Sequence, residues 1–247
     1  MNIIFFGTPL FAADVLKHLL LQGVHCLAIV TKPDDDIRGK IAPSAVKKVA
    51  EEHSLPLYQP VKASSLEMES ILAAYSADLF VVVAYGEILT EKILALAPRG
   101  AINVHASLLP RYRGASPIES ALLNGDKESG ITLMQMVKRM DAGPILAQST
   151  VEIAPSMNRR DLEDALIESA KGALSDLLLA YDRGESIVGI PQCEEEATYV
   201  HKLSSESRHI SWEGSSEDIH NQLRAFAPHP GAWCQISIAS RVKRLKC

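Results

Sequence analysis

The chain has 247 residues, of which 47% are hydrophobic and 22% are charged. This composition is close to that of globular proteins and excludes the disordered and fibrous classes. No apolar run approaches the ~18 residues of a membrane-spanning helix, and the first residues lack the basic segment and cleavage site of a secretory signal. The net charge of −5 argues against a nucleic-acid binder whose whole surface is basic, but a local basic patch is compatible with it.

The cysteines are scattered along the chain, at Cys26, Cys193, Cys234 and Cys247. No two of them have CxxC spacing, and none has histidine neighbours at the spacing of a zinc site. Two disulfides are conceivable, but a chain of this length can bury a large core without cross-links, which favours free thiols. We therefore expect a cytoplasmic protein without a bound metal and without membrane association.

From Asn2 to Val151, short apolar runs alternate with segments whose apolar residues recur at helical spacing. The pattern predicts strands at 2–6, 24–30, 55–58, 79–83, 100–104, 131–136 and 145–151. It predicts helices at 11–21, 42–52, 66–75, 90–96 and 117–123. Strands separated by helices form βαβ units with right-handed crossovers. The predicted fold class is α/β, a Rossmann-like, doubly wound, mostly parallel sheet with helices on both faces.

The last hundred residues contain fewer regular patterns. A long amphipathic segment predicts a helix over 157–181, which we expect to pack across the sheet and close the first domain. The composition of 184–206 is mixed and is typical of a linker. A further helix is predicted over 215–226, ended by Pro228 and Pro230, and alternating residues over 233–245 predict one strand.

The turn after the first strand, Gly7-Thr8-Pro9, lies where a dinucleotide-binding fold carries its glycine-rich loop. Only one glycine is present, and Pro9 removes a backbone N–H that a phosphate would bind. This disfavours NAD binding and favours a tight turn.

The segment with the strongest chemical signal is 103–114 (NVHASLLPRYRG), which begins in a predicted strand and continues into a loop. Asn103 and His105 point the same way, because side chains in a strand repeat every two residues. Asp141 lies in a loop between two later strands of the same sheet. An amide and an imidazolium can stabilise an oxyanion while a carboxylate orients the imidazole or accepts protons, as acyl transfer to an amine requires. An Asn-x-His pair alone, however, is more often structural than catalytic.

The chain resembles the 10-formyltetrahydrofolate-dependent formyltransferases over nearly its whole length, most closely those that act on methionyl-tRNA. The resemblance rests on segments 6–9 (FGTP), 11–13 (FAA), 31–34 (TKPD), 81–86 (VVVAYG), 103–118 (NVHASLLPRYRGASPI), 134–143 (MQMVKRMDAG), 224–226 (RAF) and 228–232 (PHPGA). It implies transfer of the formyl group of 10-formyltetrahydrofolate to the α-amino group of initiator methionyl-tRNA, for translation initiation. Separately, we expect the chain to be a monomer.

The resemblance also implies roles for particular residues. The catalytic trio would be Asn103, His105 and Asp141, and the folate site would include Ser107, Leu108, Leu109 and Pro110. The main chain of 83–88 would border the pteridine pocket. A loop at 38–40 would grip the tRNA acceptor arm through Arg38 and Lys40, although Asp34, Asp35 and Asp36 beside it would repel phosphates.

The same resemblance divides the chain into a catalytic domain over 1–183, a linker over 184–206 and the start of an OB-like β-barrel domain over 207–247. In the family the barrel continues further, so we expect this chain to contain the barrel only in part. Two alternatives are left open: an amino-sugar N-formyltransferase that uses the same donor, and a non-catalytic folate- or RNA-binding remnant.

Overall fold

The computed structural model describes residues 1–37, 40–238 and 241–247. The strands are β1 (Asn2–Gly7), β2 (His25–Val30), β3 (Asp35–Ile37), β4 (Lys40–Ala42), β5 (Leu57–Tyr58), β6 (Leu79–Val83), β7 (Ala101–His105), β8 (Arg113–Gly114), β9 (Glu128–Gln135), β10 (Ile145–Glu152), β11 (Tyr199–Val200), β12 (Trp233–Ile238) and β13 (Arg241–Lys246). The helices are α1 (Leu10–Leu21), α2 (Ala45–Glu52), α3 (Leu66–Ala74), α4 (Glu91–Leu94), α5 (Pro117–Leu123), α6 (Arg159–Asp182) and α7 (Ser216–Phe226).

A seven-stranded sheet with the order β10-β9-β7-β6-β1-β2-β5 forms the centre of the molecule. The pairs from β7 to β5 are parallel, and β9 is antiparallel to both β7 and β10. A small antiparallel pair, β12 with β13, follows near the end of the chain. The predicted fold class, a mostly parallel Rossmann-like sheet followed by a small β unit, is confirmed.

Alternation along the central strands builds a core on each face of the sheet. In β1, Ile3 and Phe5 join a cluster with α1, α2, α5 and α6 on one face. Ile4 and Phe6 point to the other face and pack with residues of α3 and α4. Strands that bury both faces have few polar side chains, which is why the run 79–83 is entirely apolar.

The longest helix, α6, packs against β9, β10 and α1, as expected for a helix that closes the first domain. A capping box fixes its first turn: the Asn158 side chain accepts from the backbone of Asp161, whose carboxylate in turn accepts from the Asn158 N–H. Among the described residues, no helix is both long and apolar enough to cross a membrane.

Several predicted bounds shift by one to three residues, and two of the differences have a clear physical reason. The helix predicted over 42–52 begins only at Ala45, because the Ser44 side chain caps the Lys47 N–H and residues 40–42 pair with β3. The single strand predicted over 233–245 is a hairpin, in which Trp233 pairs with Lys246 and Ile238 with Arg241. The alternation of Cys234, Ile236 and Ile238 indicates extended backbone but does not indicate which segment pairs with it.

Part of the segment 184–206 pairs with the sheet domain through backbone hydrogen bonds. Ile190 forms a bridge with Ile145 at the start of β10, and β11 pairs in parallel with β8. The two hydrogen bonds of the bridge are both 2.8 Å long. The segment therefore contacts the loop 103–114 that the sequence analysis singled out.

Candidate active site

The three predicted catalytic residues meet at the carboxyl end of β7. Ile102 and Val104 face one core, which leaves Asn103 and His105 together on the opposite face of the strand. The Asn103 Nδ2 donates to Asp141 Oδ1 at 3.4 Å, and His105 Nδ1 lies 3.8 Å from Asp141 Oδ2. Both distances exceed the ~2.7–2.9 Å of a tight charge-assisted bond, so both donors retain capacity for another acceptor.

The loop after β7 fixes the orientation of the imidazole. His105 is only 6% exposed, and its Nε2 lies 2.9 Å from the carbonyl oxygen of Tyr112. A carbonyl can only accept, so Nε2 carries a hydrogen and Nδ1 faces Asp141. Tyr112 has a φ of +61°, in the left-handed region, which turns its carbonyl back towards the ring.

Asp141 is also held in a left-handed backbone conformation, with φ of +49°. Its Oδ2 accepts the Gly114 N–H at 2.8 Å, and only 14% of its side chain is exposed. Two residues later the loop runs so close to β9 that a Cβ on Gly143 would lie 1.7 Å from the Gln135 carbonyl oxygen. The carboxylate is thus placed by a tightly folded loop.

Hydrogen bonds to buried groups fix the conformation of the predicted folate loop, Ser107–Pro110. Thr132 on β9 donates to the Ser107 carbonyl at 2.7 Å and accepts the Leu109 N–H at 3.0 Å. The Ser107 hydroxyl donates to the Arg111 carbonyl at 2.7 Å. The side chains of Ser107 and Leu109 are buried, whereas Leu108 and Pro110 are half-buried. Ser107 and Leu109 therefore shape the loop, whereas Leu108 and Pro110 present surface that a folate would contact.

The segment 83–88, predicted to border the pteridine pocket, follows β6 beside the first turn of the chain. Ala84 and Gly86 have positive φ values of +45° and +77°. Tyr85 is buried, the Thr8 hydroxyl donates to its carbonyl at 3.3 Å, and its own hydroxyl has no hydrogen-bond partner among the described residues. Burial, with a contribution from Glu87, raises the pKa of Tyr85 above its usual range.

The predicted tRNA loop is described only in part. Arg38 lies outside the described residues, and the same holds for the side chain of Lys40. Asp34, one of the acidic neighbours, accepts from Lys47 Nζ at 2.5 Å and from Gln59 Nε2 at 2.7 Å. The Lys47 hydrogen bond, followed by that from Gln59, lowers the pKa of Asp34. The positive charge of Lys47 therefore compensates the negative charge of Asp34.

A buried arginine network behind the trio was missed by the sequence analysis. The Arg113 side chain is fully buried, binds both carboxylate oxygens of Glu194 at 3.0 and 3.1 Å, and donates to Gln192 Oε1 through two nitrogens at 2.8 and 3.0 Å. Tyr199 also accepts from Arg113, at 3.0 Å. Arg113 stood within the motif 103–114, but its partners 79 to 86 residues away left no local signal.

A groove of about 300 Å³ begins beside the site. Its lining includes Ala115, Glu119, Lys202, Arg208 and Pro230, so it runs between α5 and the segment that precedes α7. Ala115 directly follows Gly114, which binds Asp141. Among the described residues, no group of three or more His, Cys, Asp and Glu side chains could hold a metal ion.

A Rossmann-like sheet that gathers an amide, an imidazole and a carboxylate at its carboxyl edge is typical of an α/β group-transfer enzyme. The chain belongs to the formyl transferase family: residues 1–178 match the formyl transferase model, and residues 202–247 match that of the formyl transferase C-terminal domain. The resemblance on which the sequence analysis relied is confirmed.

Two curated relatives are methionyl-tRNA formyltransferases. That of Protochlamydia amoebophila is 45% identical over 249 residues, which cover 100% of this chain and 78% of the relative. That of Thiobacillus denitrificans is 45% identical over 235 residues, which cover 94% of this chain and 75% of the relative.

Two solved structures share the fold. HypX from Aquifex aeolicus, in complex with tetrahydrofolic acid, aligns with a TM-score of 0.70 and 16% identity, over 96% of this chain and 36% of its own. The sugar 3N-formyl transferase WlaRD, solved with dTDP and 5-N-formyl-THF, aligns with a TM-score of 0.70 and 20% identity, over 92% of this chain and 79% of its own.

Proposed function

We propose that the chain transfers the formyl group of 10-formyltetrahydrofolate to the α-amino group of initiator methionyl-tRNA. The observation that carries this proposal is the meeting of Asn103, His105 and Asp141 at the carboxyl end of β7, in a chain 45% identical to methionyl-tRNA formyltransferases. The methionyl amine attacks the formyl carbon and forms the new C–N bond. The bond from that carbon to N10 of the folate then breaks, and N10 takes up a proton in exchange for the one that the amine loses.

The three residues divide the work of this step. Asn103 Nδ2 and the Nδ1–H of protonated His105 donate to the oxyanion that develops on the formyl oxygen. Asp141 accepts the proton that the attacking amine releases, directly or through a water molecule. An α-amino group has a reference pKa of ~7.7, so a usable fraction is neutral near pH 7 without a strong base.

The donor and the acceptor would bind at different parts of the site. Ser107, Leu108, Leu109 and Pro110 would form the folate site, with the main chain of 83–88 along the pteridine. The groove that contains Lys202 and Arg208 suits the phosphates of an acceptor arm, since it is cationic and begins beside Gly114. Arg38 and Lys40 would add further phosphate contacts.

The proposal includes the organisation of the molecule. Residues 1–183 would form the catalytic domain, 184–206 the connection and 207–247 part of an OB-like domain. We propose a cytoplasmic monomer, because translation supplies its acceptor in that compartment and the trio is assembled within one chain.

The experiment is a formyl-transfer assay in which 10-formyltetrahydrofolate and methionyl-tRNA are mixed with the protein. Formyl-methionyl-tRNA and tetrahydrofolate should appear in equal amounts. Uncharged tRNA is the control acceptor, because it lacks the amine. Absence of formyl-methionyl-tRNA, with a folded protein and an excess of both substrates, would overturn the proposal.

A further inference from the structure

We propose that Gln192 is a positioning residue for formyl transfer, which holds the loop of Asp141 in its reactive conformation. This inference rests on the function proposed above. Gln192 lies in the segment 190–200, hereafter the strap, which the sequence predicted to be part of a linker. The strap instead lies against the segment that follows β7: the Thr198 carbonyl accepts the Arg113 N–H at 2.8 Å, and the Val200 carbonyl accepts the Ala115 N–H at 3.0 Å.

The Gln192 amide uses all its hydrogen-bonding capacity between two parts of the site. Its Nε2 donates to the carbonyl oxygens of Asp141 at 2.9 Å and Gly143 at 2.7 Å. Its Oε1 accepts from the Arg113 Nε at 3.0 Å and from its Nη2 at 2.8 Å. Reversing the amide would set its NH₂ group against the guanidinium, so the arrangement permits one orientation.

This contact holds Asp141 from the side opposite to its carboxylate. The left-handed backbone at Asp141 is unfavourable by itself and persists only where its surroundings impose it. Gln192 fixes the carbonyl of that residue, while the Gly114 N–H fixes its carboxylate at 2.8 Å. The two contacts have a common origin: Gln192 is bound by the buried side chain of Arg113, and Gly114 is the next residue in the chain. The strap and the segment that follows β7 therefore support the carboxylate together.

Among the described residues, the side chain of Gln192 makes no hydrogen bond to Asn103 or to the ring of His105, so its effect on the reaction must pass through Asp141. The variant Gln192→Glu separates this role from support of the fold. The introduced carboxylate has the same shape as the amide and keeps an acceptor for Arg113. It lacks both donors to the loop, however, and repels the two carbonyls that the amide binds.

The test compares Gln192→Glu with the wild-type chain and with Cys193→Ser, a control at the next, exposed position of the strap. We expect kcat for formyl transfer to fall by ~10-fold or more in Gln192→Glu, because displacement of a reacting group by about 1 Å can cost ~10²-fold. The KM values for both substrates should stay within about threefold and the melting temperature within a few degrees. Cys193→Ser should match wild type.

A double-mutant cycle distinguishes positioning of the Asp141 carboxylate from general support of the fold. In an Asp141→Asn background, which keeps the left-handed conformation but should itself lower kcat sharply, Gln192→Glu should have no further effect on residual turnover. Gln192→Met, of similar length but without donors, should reproduce the loss of kcat.

Three results would overturn the inference: kcat within twofold of wild type for both Gln192 variants, an equal loss in the presence and absence of the Asp141 carboxylate, or unfolding of both variants at the assay temperature. Failure of the proposed function is distinguishable, because wild-type protein would then transfer no formyl group at all.

Discussion

His105 can offer only one of its nitrogens to a substrate. Its Nε2 is occupied by the Tyr112 carbonyl at 2.9 Å, and the remaining Nδ1 points to the space that it shares with Asp141. His105 is only 6% exposed, so water has little access to the ring. The hydrogen on Nε2 follows from the backbone geometry of the loop, which no pattern in the sequence indicates.

We expect His105→Ala and Asn103→Ala to fold normally and to lose formyl transfer by ~10² or more in kcat, because each removes a donor to the oxyanion. Turnover measured alongside circular dichroism checks both points. The matched control is His25→Ala, at an exposed histidine of β2 whose Nδ1 lies 2.7 Å from Asn2 Oδ1. Turnover of either site variant near the wild-type level would rule out the oxyanion role.

Thr132 illustrates how one buried hydroxyl supports an entire loop. It donates to the Ser107 carbonyl, accepts the Leu109 N–H, and accepts from Gln148 Nε2 at 2.9 Å. Its position on β9 is directly opposite His105 on β7. The strand therefore sets the distance between the trio and the predicted folate loop.

For Thr132→Val we expect the free energy of unfolding to fall by ~1–3 kcal/mol, since the Leu109 N–H is left buried without an acceptor. The KM for the folate donor should rise more than that for methionyl-tRNA. Chemical denaturation and steady-state kinetics measure the two effects, with Thr150→Val on the exposed side of β10 as the control. A variant as stable as wild type, with an unchanged folate KM, would contradict this account of the loop.

At the scale of elements, the strap is attached to the sheet domain by charge as well as by backbone pairing. Glu194 bonds Arg113 and also Arg139, whose Nη2 lies 2.7 Å from Glu194 Oε2. The hydrogen bond from Arg113 is the main cause that lowers the pKa of Glu194. A carboxylate with a lowered pKa stabilises the folded state above its unfolded-state pKa, and this contribution is lost as the pH falls through the lower, folded-state value.

We therefore expect wild type to be more stable than Glu194→Gln at pH 7, by an amount that is constant down to about pH 5, near the ordinary glutamate pKa of ~4.3. The difference should shrink as the pH falls below ~4. Unfolding free energies of the two chains between about pH 3 and 7 test this. A difference that is independent of pH, or grows in acid, would disprove the proposed link.

The central elements could be predicted from sequence because each has a strong local pattern. The run 79–83 and the helix over 117–123 have the bounds that their apolar residues indicate. The start of α2 was predicted three residues early, because Pro43 suggested a first helical turn while the cap at Ser44 and the pairing of β3 with β4 decided it. Tertiary pairing outweighed the local signal at that point.

The candidate site could be predicted only in part, for the same reason. Asn103 and His105 follow from the two-residue repeat of β7, and Asp141 from its place between two strands. Gln192 and Thr132 act through partners 49 to 79 and 16 to 25 residues away, respectively. No local pattern records contacts of that range, so their positions had to come from the structure.

The whole molecule has a net charge of −5, so tRNA, which is also negatively charged, must bind at a local cationic surface. The groove beside the site provides one with Lys202 and Arg208, and its acidic member, Glu119, is bound by Arg159 at 2.6 Å. Counterion release makes binding by such a surface steeply dependent on salt.

We expect Lys202→Ala to raise the KM for methionyl-tRNA several-fold and to flatten its dependence on salt, while the folate KM is unchanged. Kinetics at about 50 and 200 mM salt measure both effects. Lys17→Ala, on α1 where the lysine pairs with Glu52 at 3.6 Å, is the control. An unchanged salt slope in Lys202→Ala would place the tRNA elsewhere.

The acceptor is the part of the account that similarity of fold cannot decide, since a sugar formyltransferase aligns over 92% of the chain. A competition assay tests it most directly: methionyl-tRNA and a nucleotide-linked amino sugar are mixed in equal concentration with 10-formyltetrahydrofolate, and the formylated products are measured by mass spectrometry. We predict that formyl-methionyl-tRNA accumulates and that the sugar stays unmodified. Formylation of the sugar in preference to methionyl-tRNA, or of neither acceptor, would contradict the account.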